Sequence, residues 1–310
     1  MKAAIMRSLT KRAGKVVDSQ ARAHLDEASY ARPFEYVVGW RSDSIQLGDH
    51  PGTQRGLGSD YRGTINLVDY PDARRMDLRQ TIRDPFEQVQ VRQFNQDSTT
   101  PIYAVCDLSS SMQFKGHKRK LDTAIEIATA VANSAYHMGD LFGFIGYNQQ
   151  VLEDFTLPLS RNYHQSKQTI GLLHDYQQLR IGVDGVTDVP NFLGQTRALV
   201  FWISDFHMPL PVIEKTLLAM SAHKVVPIVL WDDEEYKKLP KFGFGTMIDL
   251  ESGRNRTLFF RSEVKAKFIN AFNARRHALE ALFLRFESPA LFMHGDYRPE
   301  LMTHYFEQAM

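Results

Sequence analysis

The sequence predicts an α/β fold: a Rossmann-like, doubly wound and mainly parallel sheet with helices on both faces, preceded by an accessory region rich in strands and loops. Three observations predict it. Short continuous apolar runs at 102–106, 198–203 and 225–231 have the composition of strands buried on both faces. Amphipathic helical stretches separate them, and a chain that alternates strand with helix brings successive strands back parallel. Two of the runs end in oxygen-bearing residues, Asp107, Ser109 and Ser111 after the first and Ser204 and Asp205 after the second. The carboxyl ends of such strands are where open parallel sheets collect ligands.

In chain order, residues 1–98 form the accessory region. Its pattern is irregular, with an N-terminal helix, a strand near 35–41, a glycine-rich stretch over 48–63, and an arginine-rich end. There Arg74, Arg75, Arg79, Arg83 and Arg92 alternate with Asp72, Asp77, Asp84 and Glu87, a mixture that favours ion pairs over phosphate binding. After a polar linker at 95–100 the sheet domain runs from 99 to 310. Leu121, Ala124, Ile125, Ala128, Val131, Ala132 and Ala135 recur at three- and four-residue spacing, with Gly139 placed as a C-terminal cap. The strand Leu141–Tyr147 follows, and 151–157 returns antiparallel beside it after the turn Asn148, Gln149, Gln150.

A weaker helical pattern covers 163–179, and the loop 182–191 leads to the strand at 198–203. Only ten residues, 189–198, separate Asp188 from Leu199, which leaves little room for a helix. Pro211 opens the next helix and 225–231 is a buried strand. Residues 243–261 read as a hairpin insertion turning at Ser252, Gly253 and Arg254. Val264, Phe268, Phe272, Leu279, Leu282 and Phe286 mark a long helix, 289–293 a last short strand, and Leu301, Tyr305 and Phe306 a final helix.

Composition narrows the function. Thirty-seven Lys plus Arg against 36 Asp plus Glu give a formal charge of +1, so no global field draws the chain to nucleic acid or anionic lipid. The single cysteine, Cys106, allows no internal disulfide and suits a reducing compartment. The basic start MKAAIMRSLTKRAGK lacks the apolar stretch of a secretory signal, and no window has the apolar length of a membrane span. The expectation is a cytoplasmic protein that recognises its partners locally.

One carboxylate and two hydroxyls at alternate positions of a turn converge on a small hard cation, because residues two apart in extended chain point the same way. Thr187, in the loop 184–188, and Asp205 can complete the set. Without a Cys or His cluster, magnesium is favoured over zinc, with manganese or calcium as alternatives. A helix-capping role for Asp107 and the serines is the bland alternative.

Asp107, Ser109 and Ser111 resemble the Asp-x-Ser-x-Ser motif of von Willebrand factor A (VWA) domains, the metal-ion-dependent adhesion site, and Thr187 and Asp205 resemble its other two elements. The resemblance implies a VWA-type fold and a metal whose open position receives a partner's carboxylate. Arg74, Arg75, Met76, Asp77, Leu78 and Arg79, followed by Val91, Arg92, Gln93 and Phe94, look like the segment preceding the VWA domain in MoxR-associated proteins. Asp249, Leu250, Glu251, Ser252 and Gly253 match that family's C-terminal part. The similarity covers about 55–310 and is strongest to the MxaS-like branch of methanol-oxidation clusters. It implies a partner of a MoxR-type AAA+ ATPase in maturation or metal loading of a client such as methanol dehydrogenase, the client supplying an Asp or Glu to the metal.

Enzyme readings lack their chemistry. A haloacid-dehalogenase-type phosphotransferase needs an acid where Ser109 stands. No Gly-x-Ser-x-Gly elbow occurs, and Gly116, His117, Lys118 lacks the P-loop spacing. His207 reads as a loop residue near the cation, residues 115–120 as a solvated basic face, with steering of an acidic partner as the alternative, and Asp232 to Glu235 as a solvated loop. The expectation is a non-enzymatic interaction adaptor, with an unmetallated structural module as the alternative.

Overall fold

The computed structural model describes residues 31–42, 44, 47–177, 182–232, 243–248, 255–260 and 262–308. Ten strands and six α-helices lie among them. In chain order these are β1 (Leu47–Asn66), α1 (Leu78–Arg83), β2 (Gln90–Ser98), β3 (Pro101–Asp107), α2 (Lys120–His137), β4 (Leu141–Tyr147), β5 (Val151–Ser160) and α3 (Tyr163–Gly171). There follow β6 (Leu199–Ser204), α4 (Leu210–Ala219), β7 (Lys224–Trp231), β8 (Gly243–Ile248), β9 (Asn255–Phe260), α5 (Ser262–Arg285), β10 (Leu291–His294) and α6 (Pro299–Gln308). The expected N-terminal helix and the turn at Ser252, Gly253 and Arg254 lie outside the described residues.

Six strands form one sheet in the order β10-β7-β6-β3-β4-β5. All neighbours are parallel except β4 and β5, which pair antiparallel as the short polar turn between them requires. The fold is the expected doubly wound α/β class. Alternation across β3 shows why both faces are covered. Ile102, Ala104 and Cys106 pack with α2, Phe201 and α6 residues Met302 and Phe306, while Tyr103 and Val105 pack with Trp202, α4 residues Ile213 and Leu217, and α5 residues Leu279 and Phe283. The Cys106 thiol is core, and burial pushes its pKa up, so it is inert.

Helix α2 carries its small apolar stripe fully into this core and is closed just past its C-cap Met138 by Gly139, whose φ of +67° suits a residue without a Cβ. Helix α3 is shorter than expected: it stops at Gly171 and tightens into a 3-10 turn, Leu172–Asp175. The segment after Asp188 holds only a 3-10 turn, Val189–Phe192, as its length requires.

The accessory region departs from expectation in two places, the segment 35–41 and the linker at 95–100. Residues 35–41 are extended but unladdered: Phe34, Tyr36 and Val38 are buried at alternate positions, which mimics a strand, yet among the described residues no neighbouring strand pairs with them. Phe34 packs instead edge-on to Phe201 and stacks on Phe306, so this segment belongs to the α/β core. The glycine-rich stretch forms most of β1, paired antiparallel with β2 through several register shifts, in keeping with an accessory region rich in strands. A Cβ at Gly48 would lie 2.6 Å from the backbone of Thr99, so close approach, not turning, is its use. The supposed linker at 95–100 is largely the end of β2.

The arginine-rich end forms ion pairs as expected, Arg92 with Asp77 at 2.8 Å and Arg75 with Asp72 at 3.7 Å. A buried network fastens this region to the sheet domain. Asp140 Oδ2 accepts from Tyr36 Oη at 2.5 Å and bonds His50 Nε2 at 2.7 Å, while Oδ1 accepts from the Thr100 amide at 2.7 Å. Among the described residues no helix is long and apolar enough to cross a membrane.

Candidate cation site at the switch point of the sheet

Strand order reverses at β3: β4 lies on one side and β6 on the other. The crevice between the carboxyl ends of β3 and β6 is therefore the ligand position of the sheet. Cys106 pairs with Ile203 in the parallel register, so Asp107 and Ser204 stand level one residue further on. Ser204 Oγ donates to Asp107 Oδ2 at 2.6 Å, and the Ser109 amide donates to Asp107 Oδ1 at 2.9 Å. These bonds fix the carboxylate's rotamer. Ser109 Oγ and Ser111 Oγ are 3.1 Å apart, and Ser111 in turn hydrogen-bonds Asp205. Asp107, Ser109, Ser111 and Asp205 form one linked cluster, with Asp107 and Ser109 fully buried and Asp205 1% exposed.

Among the described residues no hydrogen bond joins Thr187 to this cluster. Its hydroxyl donates to the Asp184 carbonyl at 3.0 Å within its own 3-10 turn, although that turn sits on the same rim, the Gly185 amide donating to the Asn148 carbonyl at 3.0 Å beyond β4.

Two like charges this close cannot share a dry site equally. Burial and then the Asp205 charge push the Asp107 carboxyl up to about 7, against the bonds from Ser109 and Ser204. For Asp205 burial also acts upward, but the charges of Lys120 and His207 and the bonds from Ser111 and Lys120 outweigh it and bring it down to about 2. Asp205 is the ionised member of the pair.

Lys120 was not among the residues the motif pointed to. Its Nζ lies 3.2 Å from Asp205 Oδ2, with the side chain 4% exposed. The signal existed: Lys120 precedes Leu121 and stands four residues before Ala124, a charged residue on the stripe of α2 that faces the core. The expected basic patch at 115–120 is correspondingly not free. Lys118, which precedes the helix, reaches Glu126 at 2.5 Å, and Arg119 at the helix start pairs with Asp122, three residues on, at 2.5 Å.

The loop after Asp205 is held under strain. Phe206 is a buried non-glycine residue at φ +52°, a conformation that costs on the order of 1–3 kcal/mol. Its ring lies between Trp202 and Phe283, at centroid distances of 4.8 and 5.1 Å. Arg275 of α5 donates to the carbonyls of Phe206 and Met208, and the Trp231 indole donates to the Asp205 carbonyl at 2.8 Å. His207 stacks on Trp231 and lies 3.9 Å from Asp205, the loop position expected of it.

Asp232 is a correction: it is 9% exposed, not solvated, and accepts from the His117 amide at 3.0 Å. A Cβ on Gly116 would stand 2.2 Å from its carboxylate, so Asp232 anchors the loop between the motif and α2. Among the described residues no three His, Cys, Asp or Glu side chains group as a metal site. The donors at the switch point are two carboxylates and two hydroxyls.

No curated protein is similar enough to match. Among solved structures, the chain is similar to BatB from Bacteroides thetaiotaomicron, at 13% identity over 68% of this chain and 98% of that one, with a TM-score of 0.40. It is similar to a von Willebrand factor type A protein from Catenulispora acidiphila, at 12% identity over 70% and 43%, TM-score 0.36. A third is proximal thread matrix protein 1 from the mussel byssus with a zinc-occupied MIDAS motif, at 18% identity over 43% and 38%, TM-score 0.32. The model of one protein family, described as protein of unknown function DUF58, matches residues 70–278, from just before α1 into α5, and the chain belongs to that family.

Proposed function

We propose that this chain is a non-enzymatic adaptor that grips a partner protein through a divalent cation held by Asp107, Ser109, Ser111 and Asp205. One observation carries the reading. Two buried carboxylates and two hydroxyls link up where the strand order reverses, and the Lys120 ammonium pairs with Asp205 alone, so that ionising Asp107 would leave a buried charge with no partner of its own. Uncompensated charge in a dry site is costly, and a hard cation relieves it. Carboxylate and hydroxyl oxygens suit magnesium first, with manganese and calcium able to use the same donors. Bound there, the ion would supply an open coordination position for an Asp or Glu of the partner.

The chain's own residues do the rest. Ser204 and the Ser109 amide orient Asp107, while Arg275 and Trp231 hold the loop that carries Asp205. Ser109 occupies the place of the acid that phosphoryl transfer would need, which supports ligation over turnover. The resemblance of residues 74–79 and 91–94 to MoxR-associated proteins supports, as partners, a MoxR-type AAA+ ATPase and a client such as methanol dehydrogenase whose maturation or metal loading is served. The single core-buried thiol suits the cytoplasm.

The test is co-purification of the full chain with a MoxR-type ATPase in magnesium and in chelator, with wild type and Asp107→Ala. Capture is expected only for wild type with magnesium. Equal capture in chelator, or by Asp107→Ala, would overturn the metal-dependent grip and favour an unmetallated interaction module, the reading that the Lys120–Asp205 pair supports by itself.

A further inference from the structure

We infer that Lys120 is a built-in counter-ion that competes with the metal, so that the site has two states: an ammonium-locked one, as in this structure, and a metal-loaded one from which the amine has withdrawn. This inference rests on the cation reading above and adds to it a mechanism of control.

The geometry is specific. Lys120 is the first residue of α2, and its amine reaches the carboxylate of the second aspartate, 3.2 Å from Oδ2, with both side chains almost fully removed from water, 4% and 2% exposed. The Phe114 ring lies 5.6 Å from the same nitrogen, and an aromatic face favours a desolvated cation. Burying a lysine here has no packing rationale. The neighbouring stripe of α2 is Leu121, Ala124, Ile125 and Ala128, all fully buried, and a methionine would fill the same space without desolvating a charge. A lysine is explained by what it meets, a carboxylate with a like charge close by.

The same placement sets up competition. Asp205 Oδ2 cannot hold an ammonium proton and offer that lone pair to a metal, and two cations in one dry pocket repel. Metal entry therefore requires the amine to move. A second acceptor is within the neighbourhood: Lys120 and Asp232 line one small cavity of about 10 Å³, together with Thr123, Trp231 and Gly295. The Asp232 carboxylate there already receives the His117 amide.

The consequence is conditional loading. In the locked state Asp205 is neutralised, so the free protein gains less from the metal than a bare pair of aspartates would. A partner carboxylate that completes the coordination adds the missing stabilisation, so metal and partner bind cooperatively.

Chemical footprinting of wild type tests this directly. Amine acylation of the full chain is followed by mass spectrometry in EDTA and at saturating magnesium, with occupancy checked independently by a metal-dependent rise in Tm. Lys120 is expected to be protected in EDTA and to label at least fivefold faster when magnesium is bound. A magnesium-induced Tm rise with Lys120 labelling unchanged would overturn the competition while leaving the cation site intact. Absence of any metal-dependent Tm change, in wild type and in Lys120→Met alike, would sink the cation reading itself and the inference with it.

Substitution supplies the second arm. Lys120→Met should bind magnesium at least tenfold more tightly than wild type, and in EDTA its Tm should fall. The Lys120→Met, Asp205→Asn double variant should recover most of that fall, since it removes both charges of the pair. Equal magnesium affinity in Lys120→Met and wild type, or a double variant no more stable than Lys120→Met, would refute the counter-ion role. If Lys120→Met does not fold, Lys120→Gln, which keeps a hydrogen-bond donor to Asp205, takes its place with the same expectations.

Discussion

Replacing Asp107 by asparagine removes the charge that this fold disfavours most. The Asp107 carboxyl, at 3.8 in its ordinary range, is pushed up to about 7 by burial and by the Asp205 charge. The sign follows from proton counting. Between pH 4 and pH 7 the folded protein holds a proton on Asp107 that the unfolded chain has released, so stability falls as pH rises through that window and levels off above it. Each pK unit is worth about 1.36 kcal/mol, so the full penalty at pH 8 is on the order of 4 kcal/mol.

Asparagine has the shape of the protonated acid. Its carbonyl oxygen can keep the Ser109 amide, and its NH₂ can face Ser204 Oγ, 2.6 Å away in the parent. Metal-free Asp107→Asn should therefore match wild type only below about pH 4, exceed it by about 1.5 kcal/mol at pH 5 and by about 4 kcal/mol at pH 8, a Tm gain at pH 8 of roughly 8–12 °C. The assay is urea and thermal unfolding of both proteins in EDTA at pH 5, 6.5 and 8, repeated in magnesium. Magnesium should raise the Tm of wild type and leave the variant unmoved. A wild type whose metal-free stability is flat from pH 5 to 8, or a variant no more stable than it at pH 8, would refute the electrostatic argument.

Three further outcomes follow from the geometry. Asp140→Ala leaves the Tyr36 hydroxyl, His50 and the Thr100 amide without their shared acceptor, and should cost about 3–5 kcal/mol in urea unfolding. Thr187→Val should change magnesium affinity by less than about threefold by calorimetry, because among the described residues no hydrogen bond joins Thr187 to the Asp107, Ser109, Ser111 and Asp205 cluster. A tenfold loss would place it among the ligands after all. Ile82→Asp and Phe86→Asp, at side chains 84% and 77% exposed, should each shift unfolding free energy by no more than about 0.5 kcal/mol, and a larger loss would mean that this face is covered in solution.

Much of the sheet domain was legible from periodicity. Continuous apolar runs gave β3, β6 and β7 because strands buried on both faces have no polar side, and α2 was legible because its stripe of small residues repeats without a break. The accessory region was not. At 35–41 a period-two burial pattern arises without a ladder, since packing against Phe201 and Phe306 imposes alternation whether or not a neighbouring strand exists. In β1 the glycines that signal a loop instead let two backbones approach.

The candidate site divides in the same way. Residue types at fixed spacing determined Asp107, Ser109 and Ser111 as one local group, and strand order alone put Asp205 on their rim, because both properties are carried by short stretches of chain. Tertiary structure decided that Asp232 anchors a loop and that a lysine at the start of α2 neutralises Asp205. Those outcomes depend on which side chains meet across 85 and 115 residues of intervening sequence. The strength of such a meeting is set by burial and local charge, which no single segment contains.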